Sequence, residues 1–207
     1  MNLFGNDNDI DNYAPAPTPE RLQRPEKIAI LTDDKTEDLE FFYPYYRLTE
    51  EGYHVDVITP EGKSFEAKHG LGLKKTKALA DVDPREYALL YIPGGKAPAS
   101  LRKNEAVLEF VRAYAIGDKP IAAICHGPQI LASAEMLAGK DIAAWPEIRD
   151  EIAEAGATFV DEALVIDGAF ITARRPGDLP RHLCGVLDVL QQRSSEHPSK
   201  TSRASAA

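Results

Sequence analysis

A cysteine and a histidine stand side by side within IAAICHGPQILASA, residues 121–134. The apolar run before them is typical of a buried strand, and the run after Pro128 is typical of a helix. Cys125 and His126 therefore occupy a predicted strand-to-helix turn, where the first N–H groups of the helix can stabilise a thiolate or a developing oxyanion. The pattern favours a cysteine nucleophile at Cys125. The alternative is that Cys125 is a small core residue and His126 only caps the turn.

A nucleophile on such an elbow needs small residues around it, because the strand and the helix pack closely there. Ala122, Ala123 and Gly127 meet this requirement. A further N–H donor could come from PGG, residues 93–95, which follows another predicted strand. Because glycine has no side chain, the backbone of this loop can approach the thiol closely.

The other thiol and most other imidazoles lack a comparable setting. Cys184 lies in a predicted apolar helix, and we interpret it as structural. We interpret His54, His69 and His182 as structural or solvent-facing rather than catalytic. No pair of cysteines or histidines has zinc-ligand spacing, and two cysteines do not make a disulfide framework. We therefore expect free thiols, no metal and no cofactor.

Length and composition restrict the class of protein. The 207 residues suffice for one well-filled α/β domain. A net charge of −9 argues against nucleic acid or an anionic membrane as a partner, because binding to phosphate needs a basic face. No apolar run approaches the roughly 20 residues of a membrane span, and the first residues lack the pattern of a signal peptide. We expect a cytoplasmic protein.

Strand and helix patterns alternate along the chain, which predicts a single-domain α/β fold. Its doubly wound, mainly parallel sheet would carry helices on both faces. Pro44 predicts a kink or an early break in the first helix, and Asp167–Gly168 predicts a hairpin turn. The predicted buried strands are KIAILT, HVDVIT, YALLYIP and PIAAIC.

The α/β domain is expected to span residues 27–192. Residues 1–26, rich in Asn, Asp, Pro and Ala, are predicted to be a flexible N-terminal arm, and residues 193–207 a flexible C-terminal tail. In doubly wound sheets, functional groups collect at the carboxyl ends of the strands. Four loops with unusual residues follow predicted strands and should meet at that rim: TDDKTED, PGGKAP, CHGP and TARRPGD.

Several segments resemble, in the same order, the PfpI branch of the ThiJ/PfpI superfamily. They are TEDLEFFYPYYRLTEEGYHVDV, LLYIPGGKAP, NEAVLEFVRAY, AICHGPQIL and ARRPGDLP. The resemblance covers about residues 27–192. It implies a flavodoxin-like fold of the class I glutamine amidotransferase type, with a nucleophile elbow.

The resemblance also implies roles for individual residues. Cys125 would be the nucleophile and His126 would take the general-base position, with Gly95 and His126 offering the N–H groups of an oxyanion hole. Glu37 matches the acid that reaches across to the sulfur. Such a contact needs a protonated carboxyl, or one that shares a proton with sulfur, since two anions would repel. The alternative for Glu37 is an acid that only starts a helix.

One position departs from the family pattern. Peptidase-like members place an acid after Gly-Gly-x-x-Pro, and that acid orients the histidine across a subunit interface. Here Ala99 stands at that position. Alanine cannot hydrogen-bond an imidazole, and a catalytic histidine without an orienting acid loses control of its tautomer. We therefore expect weak or absent general proteolysis.

The resemblance implies a stress-response protein, and three activities stay open. The first is a Cys-dependent hydrolase or lyase, deglycase- or glyoxalase-like, acting on small reactive-carbonyl adducts of small molecules or proteins. The second is an intracellular cysteine peptidase, weakened by Ala99. The third is non-enzymatic, a redox sensor or a holdase chaperone. A homodimer or higher homo-oligomer, assembled through the face with the Gly-Gly-Pro loop, is also implied.

Overall fold

The computed structural model describes residues 13–16 and 18–196. Within this part of the chain, no helix is long and apolar enough to cross a membrane. The helices are α1 (Asp38–Glu50), α2 (Ala97–Leu101), α3 (Glu105–Ala115), α4 (Pro128–Ser133), α5 (Arg149–Glu154) and α6 (Leu179–Glu196). The strands are β1 (Lys27–Leu31), β2 (His54–Thr59), β3 (Phe65–Glu66), β4 (Gly72–Leu73), β5 (Lys77–Ala78), β6 (Tyr87–Ile92), β7 (Ile121–Ile124), β8 (Asp141–Ile142), β9 (Thr158–Phe159), β10 (Val165–Asp167) and β11 (Phe170–Ala173).

The central sheet of the described residues has the strand order β10-β11-β7-β6-β1-β2-β5. Its pairs are parallel except for β10 with β11, which form the predicted hairpin. The pairs β3–β4 and β8–β9 lie outside this sheet. The predicted mainly parallel, doubly wound α/β architecture is therefore confirmed.

Both faces of the sheet are buried, which explains why its strands are apolar runs rather than alternating sequences. Neighbouring residues of β1 belong to different core clusters, with Ile28 and Ile30 on one face and Ala29 and Leu31 on the other. Helices α1 and α6 contribute to the first cluster, and α3, α4 and α5 contribute to the second. The carboxyl ends of the central strands are left at one rim.

The first helix begins at a cap and does not break at its proline. Glu37 is the N-cap residue, and its carboxylate accepts the backbone N–H of Glu40 at 2.8 Å. The early break predicted at Pro44 does not occur, and the helix continues to Glu50. Buried side chains of the same helix, Phe41 among them, pack against the sheet and offset the lost backbone hydrogen bond.

Described residues on either side of 27–192 contact this region or continue its last helix. The described part of the N-terminal segment packs against α1: the ring of Tyr13 lies 5.7 Å from that of Phe42, and the N–H of Arg24 donates to the carbonyl of Gly52. At the other end, α6 continues past residue 192 to Glu196. The predictions of flexibility at residues 1–12, 17 and 197–207 fall outside the described residues.

Candidate active site

Cys125 lies on a tight turn between β7 and α4. Its φ of 61° is in the left-handed region, which residues with a side chain rarely adopt. Two hydrogen bonds hold it: its N–H donates to the carbonyl of Ala173 at 3.0 Å, and its carbonyl accepts the N–H of Trp145 at 2.9 Å. The side chain is buried, with 6% of its residue surface exposed. The geometry is that of a nucleophile elbow.

Two glycines make the close packing around the sulfur feasible. A Cβ atom on Gly94 would lie 2.6 Å from Oε2 of Glu40 and 2.7 Å from Cβ of Cys125. A Cβ atom on Gly127 would lie 2.5 Å from the carbonyl oxygen of Ile92. Any side chain at either position would push strand, loop and elbow apart.

The acid beside the sulfur is Glu40, not Glu37 as the resemblance implied. Glu40 is fully buried, and its Oε2 accepts the backbone N–H of Gly94 at 2.8 Å. Both this oxygen and Cβ of Cys125 lie against Gly94, and the carboxyl and the thiol affect each other's pKa. The other oxygen, Oε1, is buried without a hydrogen-bond partner among the described residues. Glu37 is half-buried and caps α1 instead, because its side chain folds back onto the first turn of the helix. One turn later, residue 40 points into the core.

A signal for Glu40 was present in the sequence. Glu40, Pro44 and Leu48 recur at intervals of four residues, and all three are buried in α1. An acid on the buried face of an amphipathic helix is costly unless it has a partner, so its presence there indicates a function.

The thiol and the carboxyl compete for protons in a shared buried environment. Burial raises the pKa of Glu40 to about 8, and the nearby charge of Glu37 raises it further, while the N–H of Gly94 opposes the change. Burial also raises the pKa of the Cys125 thiol above its ordinary value, as does Glu40. The elbow therefore does not by itself depress the thiol pKa. The pair has two states with the same number of protons: a Cys125 thiol beside a Glu40 carboxylate, and a Cys125 thiolate beside a Glu40 carboxyl. They differ only in which side chain holds the proton.

Two backbone N–H groups point at the sulfur and favour the thiolate form. They belong to Gly95 and His126, and both lower the pKa of Cys125. Gly95 has a φ of 80°, and a Cβ atom there would lie 2.4 Å from the nitrogen of Glu37, so this position requires glycine. A bridge between Gly95 and Thr36 ties this loop to the one that starts α1. The two residues expected to form an oxyanion hole are thus brought together at the sulfur.

His126 lies beside the thiol, with its Nδ1 3.2 Å from Sγ of Cys125. The imidazole is half-buried. Burial lowers the pKa of His126, and the negative charges of Glu147 and Glu151 oppose this change. A neutral imidazole at neutral pH can accept the thiol proton.

Sequence reasoning missed Trp145, whose indole stacks on His126. The ring centroids are 6.1 Å apart and the ring planes are inclined by 26°. The available signal was a lone tryptophan directly after the short predicted strand DIAAW. Its distance from the elbow along the chain hid the contact.

Ala99 lies at an exposed position of α2 and offers no polar group to the imidazole.

The loop TARRPGD does reach the elbow through the carbonyl of Ala173, as its predicted place at the rim requires. Its first arginine, Arg174, pairs with Asp178 and Asp161 and so stabilises the loop. Cys184 is exposed on α6. His182 is fully buried, and its Nε2 donates to the carbonyl oxygen of Ile171 at 3.0 Å, while its Nδ1 lies 3.5 Å from the hydroxyl of Tyr91.

One group of side chains near the start of α1 has the composition of a metal site. Ligand atoms of Glu37, Asp38 and His69 all lie within 4.8 Å of one another. Asp38 already accepts the backbone N–H of His69, at 3.0 Å from Oδ2, and its Oδ2 lies 2.8 Å from Nδ1 of the ring. These contacts connect the loop that carries His69 to the start of α1, which explains why the three side chains lie together.

Comparison with known proteins gives the family. Residues 26–188 match the DJ-1/PfpI family. Deglycase PfpI of Pyrococcus furiosus is 41% identical over 153 residues, which are 74% of this chain and 92% of the relative. Protein/nucleic acid deglycase 2 of Escherichia coli is 37% identical over 157 residues, 74% of this chain and 91% of the relative.

A solved structure shares both the fold and the sequence pattern. It is a two-domain protein from Anabaena variabilis with dj-1/thij/pfpi-like and ferritin-like domains. The two chains are 35% identical with a TM-score of 0.78, over 80% of this chain and 48% of that one, so this chain spans about half of its length. With a family match over most of its length and relatives that it covers over about nine-tenths of their length, the chain belongs to the DJ-1/PfpI family.

Proposed function

We propose that the protein is a cysteine-dependent deglycase that removes small dicarbonyl adducts from amines and thiols. The observation that carries the proposal is the convergence on the Cys125 sulfur of the Glu40 carboxyl, the His126 imidazole and two backbone N–H groups. The similarity to two relatives named deglycases supports the same activity.

The chemistry can be written for the methylglyoxal adduct of an amine, in which C1 carries the nitrogen and a hydroxyl and C2 is a ketone. The Cys125 sulfur replaces the nitrogen at C1: a carbon–sulfur bond forms, the carbon–nitrogen bond breaks, and the amine leaves with a proton. A proton then moves from C1 to C2, so that C1 is oxidised to a thioester and C2 is reduced to an alcohol. Water cleaves the thioester to lactate and restores the thiol. The sum is adduct plus water giving amine plus lactate, with no external oxidant.

Each group at the site has a step to perform in this sequence. The N–H groups of Gly95 and His126 bind the oxygen on C1 as charge develops on it. The imidazole of His126 takes the thiol proton and delivers it to the leaving amine. The carboxyl of Glu40 carries its own proton near neutral pH, because burial raises its pKa to about 8, and so places no second negative charge beside the thiolate. No step requires the orienting acid that is absent at Ala99.

The test uses a purified methylglyoxal adduct of N-acetyl-lysine from which free methylglyoxal has been removed. We expect free amine and lactate to appear in equal amounts. A methylglyoxal scavenger in the reaction should leave the rate unchanged. If the scavenger abolishes lactate formation, the protein acts on free dicarbonyl only, as a glyoxalase, and the deglycase proposal is wrong.

The same samples separate the remaining alternatives. We expect no casein hydrolysis, because Ala99 leaves the peptidase arrangement without its acid. Suppression of aggregation by client proteins that is the same in the wild type and in Cys125→Ala, together with no adduct turnover, would instead favour a holdase chaperone.

A further inference from the structure

The orientation of His126 needs an explanation, because within the described part of the chain its ring makes one polar contact. Its Nδ1 lies 3.2 Å from the Cys125 sulfur, and its Nε2 has no hydrogen-bond partner among residues 13–16 and 18–196. The position that supplies an acid in the peptidase-like pattern is Ala99. An imidazole rotates readily about its χ2 torsion, which has broad minima. Some other group must therefore keep Nδ1 on the sulfur.

Trp145 lies beside this ring and is held there by its backbone and by its packing. The backbone N–H of Trp145 donates to the carbonyl of Cys125 at 2.9 Å, and the backbone carbonyl of Trp145 accepts the N–H of Ile148 at 3.0 Å. Its half-buried side chain packs against the hydrophobic clusters on both faces of the sheet. The backbone of the nucleophile and the platform for its histidine are thus joined by one hydrogen bond.

The contact between the rings has the geometry of an offset stack. The centroids are 6.1 Å apart with planes inclined by 26°, which is within the range in which aromatic pairs attract each other. A partial rotation of the imidazole about χ2 would tilt it out of this plane and lose the contact. The stack therefore restricts the ring to this plane, and of the two orientations that the plane allows, only the observed one places Nδ1 at Sγ of Cys125.

Negative charge beyond the platform complements this arrangement. Glu147 and Glu151 act on His126, and Glu151 is held in place by Arg102 and by Gln129, whose Nε2 lies 2.7 Å from its Oε2. These carboxylates favour the imidazolium that forms when His126 takes the thiol proton, without contacting the ring.

We propose that Trp145 is a positioning residue for His126, and that it supplies from within the same chain the orientation which an acid supplies in the peptidase-like pattern. The inference rests on the proposed function only for its effect on turnover. Its effect on the thiol itself is independent of which substrate the protein uses.

The experiment compares Trp145→Leu, which removes the aromatic platform, with Trp145→Phe, which keeps a ring. Both are made in a Cys184→Ala background so that Cys125 is the only thiol. We expect Trp145→Leu to slow alkylation of Cys125 by iodoacetamide at pH 7 about tenfold, and Trp145→Phe to recover most of the rate. Nitrogen NMR of His126 should show one dominant tautomer in the wild type and in Trp145→Phe, and a mixture in Trp145→Leu.

A double-mutant cycle separates positioning from other roles. In a His126→Ala background, Trp145→Leu should not slow alkylation further, because its effect passes through the imidazole. A second slowing of equal size in that background would overturn the proposal, since Trp145 would then act on the elbow directly. If Trp145→Leu does not fold, Trp145→Met replaces it with the same expectations.

The outcome is separable from that of the proposed function. If Trp145→Leu loses the single tautomer of His126 while the wild type shows no deglycation, the positioning role of Trp145 is supported and the proposed deglycase activity is wrong. Wild-type alkylation rate and tautomer in Trp145→Leu would overturn the positioning role, whatever the deglycation result.

Discussion

Replacing Cys125 by alanine is expected to lower the rate of adduct cleavage by about 10³-fold or more, because the substitution removes the atom that forms the bond to substrate. Residual binding by the N–H groups of Gly95 and His126 would leave the affinity for substrate less affected than turnover. The measurement is lactate release from the purified N-acetyl-lysine adduct at saturating concentration.

Cys184→Ala is the matched control for this variant. It removes the other thiol, which is exposed on α6, and should retain the wild-type rate. Similar rates in Cys125→Ala and wild type, or an equal loss in Cys184→Ala, would contradict the assignment of Cys125 as the nucleophile.

Replacing Glu40 by glutamine is expected to make the protein slower and more stable at the same time. Burial raises the pKa of Glu40 from its ordinary 4.5 to about 8. The folded state therefore binds a proton more tightly than the unfolded state, and wild-type stability is lost as the pH rises from 4.5 towards 8. Glutamine does not titrate, keeps the shape, and can still accept the N–H of Gly94. The unfolding free energy of Glu40→Gln therefore does not decrease over this pH range through residue 40.

The size of the stabilisation follows from the shift. One pKa unit corresponds to about 1.4 kcal/mol, so the difference in unfolding free energy between Glu40→Gln and wild type should grow with pH to on the order of 3 kcal/mol at pH 7. Denaturant titrations at pH 5, 6 and 7 (at ~1 unit spacing) measure the difference. A difference that does not change with pH would mean that Glu40 is not protonated in the folded protein.

The cost of the same substitution appears at the thiol. A carboxamide donates a weaker hydrogen bond than a carboxyl and cannot exchange a proton with sulfur. In the Cys184→Ala background at pH 7, where the Glu40 carboxyl is protonated, we expect Glu40→Gln to slow alkylation of Cys125 about tenfold. Above pH 8 the ionised carboxyl raises the pKa of the thiol, and the slowing should disappear. Glu37→Gln serves as control, because Glu37 caps α1 and does not contact the sulfur. Equal slowing in the two variants would mean that the effect is only one of nearby charge.

The central strands could be predicted because strands that are buried on both faces are short apolar runs. The elbow could be predicted because Cys125 and His126 are adjacent in sequence and lie between two apolar runs. The pairs β3–β4 and β8–β9 lie outside the main sheet. The apolar run DIAAW predicts a strand at β8, but no pattern in the sequence shows that β9 is its partner. The described part of the N-terminal segment is polar in composition, and the positive φ and bare Cα of Gly52 allow its backbone to pack closely against the end of α1.

The acid at the site shows where sequence reasoning stops. Glu37 and Glu40 are one helical turn apart, and which of them faces the sulfur depends on the residue at which α1 begins. Helix starts cannot be read from sequence to within a residue or two. Trp145 lies outside such reasoning altogether, since its contact with His126 joins segments that only the folded chain brings together.

The proposed deglycase mechanism depends most on a covalent bond between the substrate and the Cys125 sulfur. The direct measurement is a single-turnover reaction with protein in excess over the N-acetyl-lysine adduct, quenched in acid at successive times and analysed by tandem mass spectrometry. We expect a lactoyl group on Cys125 that forms as the amine is released and decays as free lactate appears. Lactate formation at the full rate with Cys125 unmodified at every time point would contradict the proposed covalent mechanism.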